Sequence, residues 1–239
     1  MRTAILCGGK GTRLGGWGGG LPKPLLPVGD RPLLWHLMQI YATQGHADFV
    51  LCLGHEQQQF VDYFAGAPAG SEGWRVDLVD TGTETQTGGR ISRIADRIDG
   101  DRFFATYGDG LADIALDRLL AYHRSHGRVA TLTAVRPHVN FGVARLDGDG
   151  RVLRFDEKPL MQEWVNGGFF VFERRVFDYL DEGSTLEREP LERLAAEGEL
   201  MAYRHEGFWS CLDTYKDHLV LNERWENGAA PWRIWQEQG

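Results

Sequence analysis

The chain has 239 residues, of which 42% are hydrophobic and 25% charged, and its formal net charge is -8. That length allows a substantial core in one large α/β domain, while the acidic balance excludes a protein that coats nucleic acid through an overall basic field and leaves room only for local cationic pockets. No apolar stretch reaches the length of a membrane span, residues 3–7 are too short for a signal peptide, and the expected setting is cytoplasmic with no membrane partner.

In chain order, apolar runs rich in β-branched and aromatic residues predict strands over 3–7, 49–53, 76–79, 103–107 and 129–135. Between them the spacing predicts helices over 32–44, 56–64, 91–98 and 116–126, the first opening on a proline and stopping before Gly45. Strands alternating with helices imply a Rossmann-like α/β fold, a mostly parallel mixed sheet covered by helices on both faces. Beyond Val135 shorter strands are expected over 142–146, 152–157, 168–172 and 200–205, with helices over 174–180, 189–197 and 214–226. No Ser- or Pro-rich linker interrupts the chain. Residues 1–239 therefore read as a single domain, whose C-terminal part over 136–239 extends the sheet and supplies a lid. Cys7, Cys52 and Cys211 lie far apart without a Cys-x-x-Cys spacing, so neither a zinc knuckle nor a disulfide framework is expected.

The most informative stretch is LCGGKGTRLGGWGGGLPKPLLPVGD, residues 6–30, between the first strand and the first helix. Each ordered glycine costs more backbone entropy than any other residue, so a ligand is needed to offset the cost. Backbone N–H groups freed by glycine approach phosphate oxygens, and Arg13 and Lys23 supply countercharge. The order Gly8-Gly9-Lys10-Gly11-Thr12-Arg13 satisfies neither the P-loop nor the dinucleotide fingerprint. In an open α/β sheet ligands bind beyond the carboxyl ends of strands. Residues 81–90 and Gly108-Asp109-Gly110 occupy such places too.

Gly8-Gly-Lys-Gly-Thr-Arg-Leu14 with Pro22-Lys-Pro24 resembles the sugar-phosphate nucleotidylyltransferases. The resemblance continues through Val79-Asp-Thr-Gly82, Thr87-Gly-Gly-Arg90, Thr106-Tyr-Gly-Asp-Gly110, Glu157-Lys-Pro159, Val165-Asn-Gly-Gly-Phe-Phe170, Glu189-Pro-Leu-Glu192 and Gly207-Phe-Trp209 with Asp213. The segment over 81–90 is most similar to the cytidylyl branch that acts on glucose 1-phosphate. The resemblance implies in-line attack of a sugar phosphate oxygen on the α-phosphorus of CTP, with release of pyrophosphate. The same transfer with UTP or dTTP, or to another phosphorylated sugar or a phosphonate, stays open, as does a nucleotide-sensing module without catalysis. A phosphate monoester is largely a dianion at neutral pH, so no Ser-His-Asp arrangement is needed; positioning and charge neutralisation suffice.

Carried onto this chain, the resemblance makes residues 1–135 the nucleotide-binding part and 136–239 the sugar-binding and lid part, with Arg13 and Lys23 the catalytic cations. Leu6, Gly8, Gly9, Gly11, Thr12, Thr81, Thr87, Gly88, Arg90 and Gly108 are the implied nucleotide contacts, with Arg90 approaching the phosphates. Glu157, Lys158, Asn166 and Gly167 are the implied sugar-phosphate contacts, and Asp109 and Asp213 the ligands of Mg2+. Where the cytidylyl branch has Gly-Tyr-Lys, this chain has Gly54-His55-Glu56. The resemblance also implies a homo-oligomer, for which the tail 230–235, rich in tryptophan, is the expected contact.

Overall fold

The computed structural model describes residues 1–9, 18–66 and 73–235. Strand β1 (Thr3–Leu6) is buried throughout and opens the sheet. After it, Lys23–Leu25 form a 3-10 turn and Pro27–Val28 (β2) pairs with Arg31–Pro32 (β3) in a small hairpin. The proline ring fixes φ for helix entry, and α1 (Leu33–Ala42) follows at once. Then come β4 (Asp48–Leu53), α2 (Gln57–Gly66), β5 (Arg75–Asp80), α3 (Thr87–Ser92), β6 (Arg102–Tyr107), β7 (Gly110–Ala112) and α4 (Leu116–His126). The last of these stops at Gly127, whose φ of 64° is the left-handed cap that glycine adopts without Cβ penalty. The remainder is β8 (Ala130–Val135), the hairpin β9 (Gly142–Leu146) and β10 (Val152–Glu157), β11 (Val165–Asn166), β12 (Phe170–Glu173), α5 (Glu189–Ala196), β13 (Leu200–Arg204), β14 (Trp209–Cys211) and α6 (Tyr215–Glu226).

The main sheet has eight strands in the order β11-β8-β12-β6-β1-β4-β5, with β13 on the other edge of β8. Parallel pairing joins β6, β1, β4 and β5, while β12 runs antiparallel between β6 and β8. Strands from both sides of residue 135 therefore share one sheet. Alternation along β1 divides the core: Ile5 and Cys7 face the layer built on α1 and α4, and Ala4 and Leu6 face the layer of α3 and α5.

Helix α3 starts four residues earlier than the periodicity predicts, taking the poor helix formers Gly88 and Gly89 into its first turn. Packing overrides propensity there. A Cβ on Gly88 would press on Ser184, and one on Gly89 would overlap the Glu182 carbonyl. The stretch predicted as helix over 174–180 is a 3-10 helix, Arg174–Tyr179.

Most of the tail's apolar surface is packed inward, with Ile234 its exposed large apolar side chain at 37%. Trp232 is fully buried, and Trp225 and Trp235 pack against the same core cluster around His36. The large exposed apolar side chains concentrate instead on the β9–β10 hairpin, where Phe141 is 76%, Leu153 63% and Phe155 63% exposed.

Under the tail, His36 is fully buried, its Nε2 2.8 Å from the Val28 carbonyl while Nδ1 accepts from Trp232 Nε1 at 3.4 Å. Only the neutral Nε2–H tautomer satisfies both contacts. Burial is the main cause that brings its pKa down from 6.5 to about 4. Between those values the unfolded chain takes up a proton that the folded chain refuses, so stability is complete above pH 6.5 and is lost as the pH falls toward 4. We expect His36 to account for about 2 kcal/mol of the loss between pH 7 and pH 5. Urea unfolding at both pH values checks this: His36→Leu should show a shallower pH dependence than wild type, and equal slopes would refute it.

Candidate active site

A cleft of about 730 Å³ opens at the carboxyl ends of β1 and β6, where an open α/β sheet binds ligands. Leu6, Gly8 and Gly9 leave β1 into it, Thr85, Gln86 and Thr87 approach from the start of α3, and Thr106 to Gly110 form its floor. Asn166 and Gly167 at the end of β11 face them, with Glu187, Trp209 and Asp213 closing the rim.

On this floor the structure brings together three predicted residues. Lys23 Nζ lies 2.5 Å from Asp213 Oδ1 and 3.4 Å from Asp109 Oδ2. The residues come from remote segments, and a small pairing missed by sequence reasoning joins them. β14 runs antiparallel to β7, with Cys211 opposite Gly110, and Leu212 N–H donates to the Asp109 carbonyl at 2.8 Å. Asp213 is not the cap of α6, because Thr214 takes that role in a capping box with Asp217. Pro22 and Pro24 hold Lys23 in its 3-10 turn. Burial pushes the Asp109 carboxyl above the usual range, and Asp213 adds to this, while Lys23 opposes it.

The Lys23 ammonium shows that both carboxylates face one cationic position. Two hard oxygen donors directed at one point fit a divalent cation whose remaining ligands are phosphate oxygens and water. Among the described residues no group of three His, Cys, Asp or Glu side chains is placed to enclose a metal.

Arg90, expected to approach the phosphates, is also a structural tie. Its guanidinium is 4% exposed and donates to carbonyls of Leu53 (2.8 Å), Gly82 (2.8 Å) and Gly8 (2.9 Å), and to the Thr81 hydroxyl (2.8 Å). These bonds tie β4, the segment after β5 and the start of the glycine loop into one unit. Arg90 also reaches the cleft lining beside Gly8, so its charge bears on whatever binds there. Gly8 and Gly54 are glycine for the same reason, since a Cβ at either position would overlap the guanidinium. Thr81 is fully buried and donates to the Leu53 carbonyl at 2.6 Å, and Gly88 is buried against Ser184; neither lines the cleft.

Leu6, Gly8, Gly9, Thr87, Arg90, Gly108, Asn166 and Gly167 line the cleft as predicted for site residues. Gly11, Thr12 and Arg13 lie outside the described residues. Glu157 and Lys158 stand at the end of the exposed β9–β10 hairpin, outside the cleft lining, and pair with each other at 3.3 Å. The side chains of a strand end projecting from the main sheet are free to form such a surface pair, a weak interaction.

Sequence reasoning missed Tyr107, Glu187 and Trp209 as lining residues. Trp209 Nε1 donates to the Gly167 carbonyl at 2.8 Å, and Tyr107 is bonded to both Asn166 and Glu187. Burial, followed by the adjoining Glu187 carboxylate, pushes the Tyr107 phenol well above its ordinary value, so it stays protonated. For Tyr107 and Trp209 the signal lay in motifs already noted, residues 106–110 and 207–209; Glu187 belongs to none of them.

Comparison with known proteins agrees with this geometry. A nucleotidyl transferase family model matches residues 2–227. A probable glucose-1-phosphate cytidylyltransferase of Bacillus subtilis is 40% identical over 98% of this chain and 100% of its own length. The glucose-1-phosphate cytidylyltransferase of Salmonella typhi is 40% identical over 99% of this chain and 100% of its own. In fold, HddC from Yersinia pseudotuberculosis superposes with a TM-score of 0.74 at 21% identity, covering 94% of this chain and 99% of HddC. Matched by the family model along nearly its whole length and by full-length relatives at that identity, the chain belongs to the nucleotidyl transferase family.

Proposed function

We propose that this enzyme transfers a cytidylyl group from CTP to glucose 1-phosphate, giving CDP-glucose and pyrophosphate. The observation that carries the reading is the convergence of Lys23, Asp109 and Asp213 on one point of the cleft floor; the names of the relatives at 40% identity support the choice of substrates. A phosphate oxygen of the sugar phosphate attacks the α-phosphorus. The bond to the bridging oxygen breaks, and pyrophosphate leaves with that electron pair. The nucleophile is already anionic at neutral pH, which agrees with a cleft lined by no histidine.

Each group of the chain then has a task in positioning or in charge. Gly8 and Gly9 present backbone to the triphosphate, with Leu6 and Gly108 beneath the nucleotide, and Gly11, Thr12 and Arg13 keep the contacts the sequence assigns them, Arg13 as a countercharge. Lys23 neutralises phosphate charge, and Thr87 supplies a hydroxyl at the start of α3. Asp109 and Asp213 would hold Mg2+, which when bound supplies positive charge at the reacting phosphates. Asn166 and Gly167 take the acceptor sugar. This division makes residues 1–135 the nucleotide half and the later strands the sugar half.

Pyrophosphate release with magnesium, measured for CTP, UTP, dTTP, ATP and GTP with and without glucose 1-phosphate, tests the reading. Release is expected with CTP and glucose 1-phosphate together and with neither alone. Equal release with UTP or dTTP, or release with CTP only when another phosphorylated acceptor is added, would replace the substrate assignment.

A further inference from the structure

Glu187 enters the cleft from the connection ahead of α5 and has no role in the transfer as described above. Its Oε1 accepts the Tyr107 hydroxyl at 2.6 Å and its Oε2 accepts the Thr87 hydroxyl at 2.6 Å. Neighbouring groups fix the direction of both bonds. Gly168 N–H donates to Asn166 Oδ1 at 3.0 Å, which turns Asn166 Nδ2 toward the Tyr107 oxygen at 3.1 Å, so the phenol's one proton goes to Glu187. Likewise Leu186 N–H donates to Thr87 Oγ1 at 2.9 Å, and the threonine proton goes to the carboxylate. Each carboxylate oxygen keeps acceptor capacity beyond the bond it makes. Among the described residues Glu187 has no ion-pair partner to neutralise it.

Such a group repels phosphate and attracts a neutral hydrogen-bond donor, and sugar hydroxyls are the donors that an acceptor carries. Sheet order locates the site. Tyr107 ends β6 and Asn166 ends β11, both on the side of β1 away from β4 and β5. We infer that Glu187, oriented by Tyr107 and Thr87, accepts a hydrogen bond from a ring hydroxyl of the acceptor hexose and so selects it. The inference rests on the reading of this cleft as the site of transfer to a hexose 1-phosphate.

The test is steady-state pyrophosphate release by wild type, Glu187→Gln and Tyr107→Phe, with glucose 1-phosphate and its 2-, 3-, 4- and 6-deoxy analogues. Glu187→Gln should raise KM for glucose 1-phosphate about tenfold or more, and leave KM for CTP within about twofold. One deoxy analogue should be poor for wild type yet cost the variant nothing further, because its missing hydroxyl is the one Glu187 binds. Tyr107→Phe should shift the same KM by about threefold. A rise in KM for CTP instead would mean a base or ribose contact and would overturn the inference. So would an equal penalty with glucose 1-phosphate and every deoxy analogue, the mark of a strut. If wild type ignores glucose 1-phosphate, the substrate assignment fails on its own, and the comparison is made with whichever hexose 1-phosphate supports release. If none does, both fall.

Discussion

Asp109→Asn should keep the fold and lose about a thousandfold or more of kcat. The substitution changes almost no volume, and Leu212 N–H donates to the main-chain carbonyl of residue 109, which the variant retains. What it removes is one of the two negative charges that face the Lys23 ammonium. The cleft floor then carries a single carboxylate for a cation that must offset two polyanionic substrates. Asp213 keeps its contact with the Lys23 ammonium at 2.5 Å, and the Asp109 side chain is partly exposed, so stability should change little. Thermal unfolding and turnover measured on the same preparation separate the two effects. Wild-type turnover at saturating magnesium would remove Asp109 from the reaction.

Arg90→Met should destabilise the protein by about 3 kcal/mol, with activity falling along with it. The substitution fills much of the same space, yet it leaves the Gly82 carbonyl without the donor it has at 2.8 Å and the Gly8 carbonyl with only the His55 N–H at 3.4 Å, while the Leu53 carbonyl keeps Thr81. Each buried acceptor left without a donor costs about 1–3 kcal/mol, offset in part because the buried charge is also removed. Arg90→Lys should fall between, about 2 kcal/mol below wild type, because an ammonium keeps the charge but cannot span the same set of oxygens. The urea midpoint at pH 7 measures both. If Arg90→Met unfolded at the wild-type midpoint and failed only to bind CTP, the arginine would be a ligand group after all.

Much of the fold was legible in the sequence because its signals are local. The apolar runs at β1, β4 and β6 are continuous, since both faces of those strands are covered, and α1 and α4 carry ordinary start and stop residues. The pairing of β7 with β14 was not legible. It joins three-residue strands about a hundred positions apart, too short for any periodicity, yet it brings Asp213 to Asp109. The meaning of Arg90 was hidden for a related reason. An arginine after two glycines suggests a phosphate cradle, and only the folded chain reveals that carbonyls from three segments already occupy it. Glu187 escaped notice because its significance comes from hydroxyls contributed by α3 and β6, which no spacing connects.

The guanidinium packed between Gly8 and Gly54 also constrains how this sequence can change over generations. Replacing either glycine by a larger residue is blocked while Arg90 stays. Shortening Arg90 first takes the donor from the Gly82 carbonyl and loosens the ties to Leu53 and Gly8. Each single step passes through a weakened protein, whereas a compensated combination need not, so the three positions form an epistatic unit whose members are expected to change together or not at all.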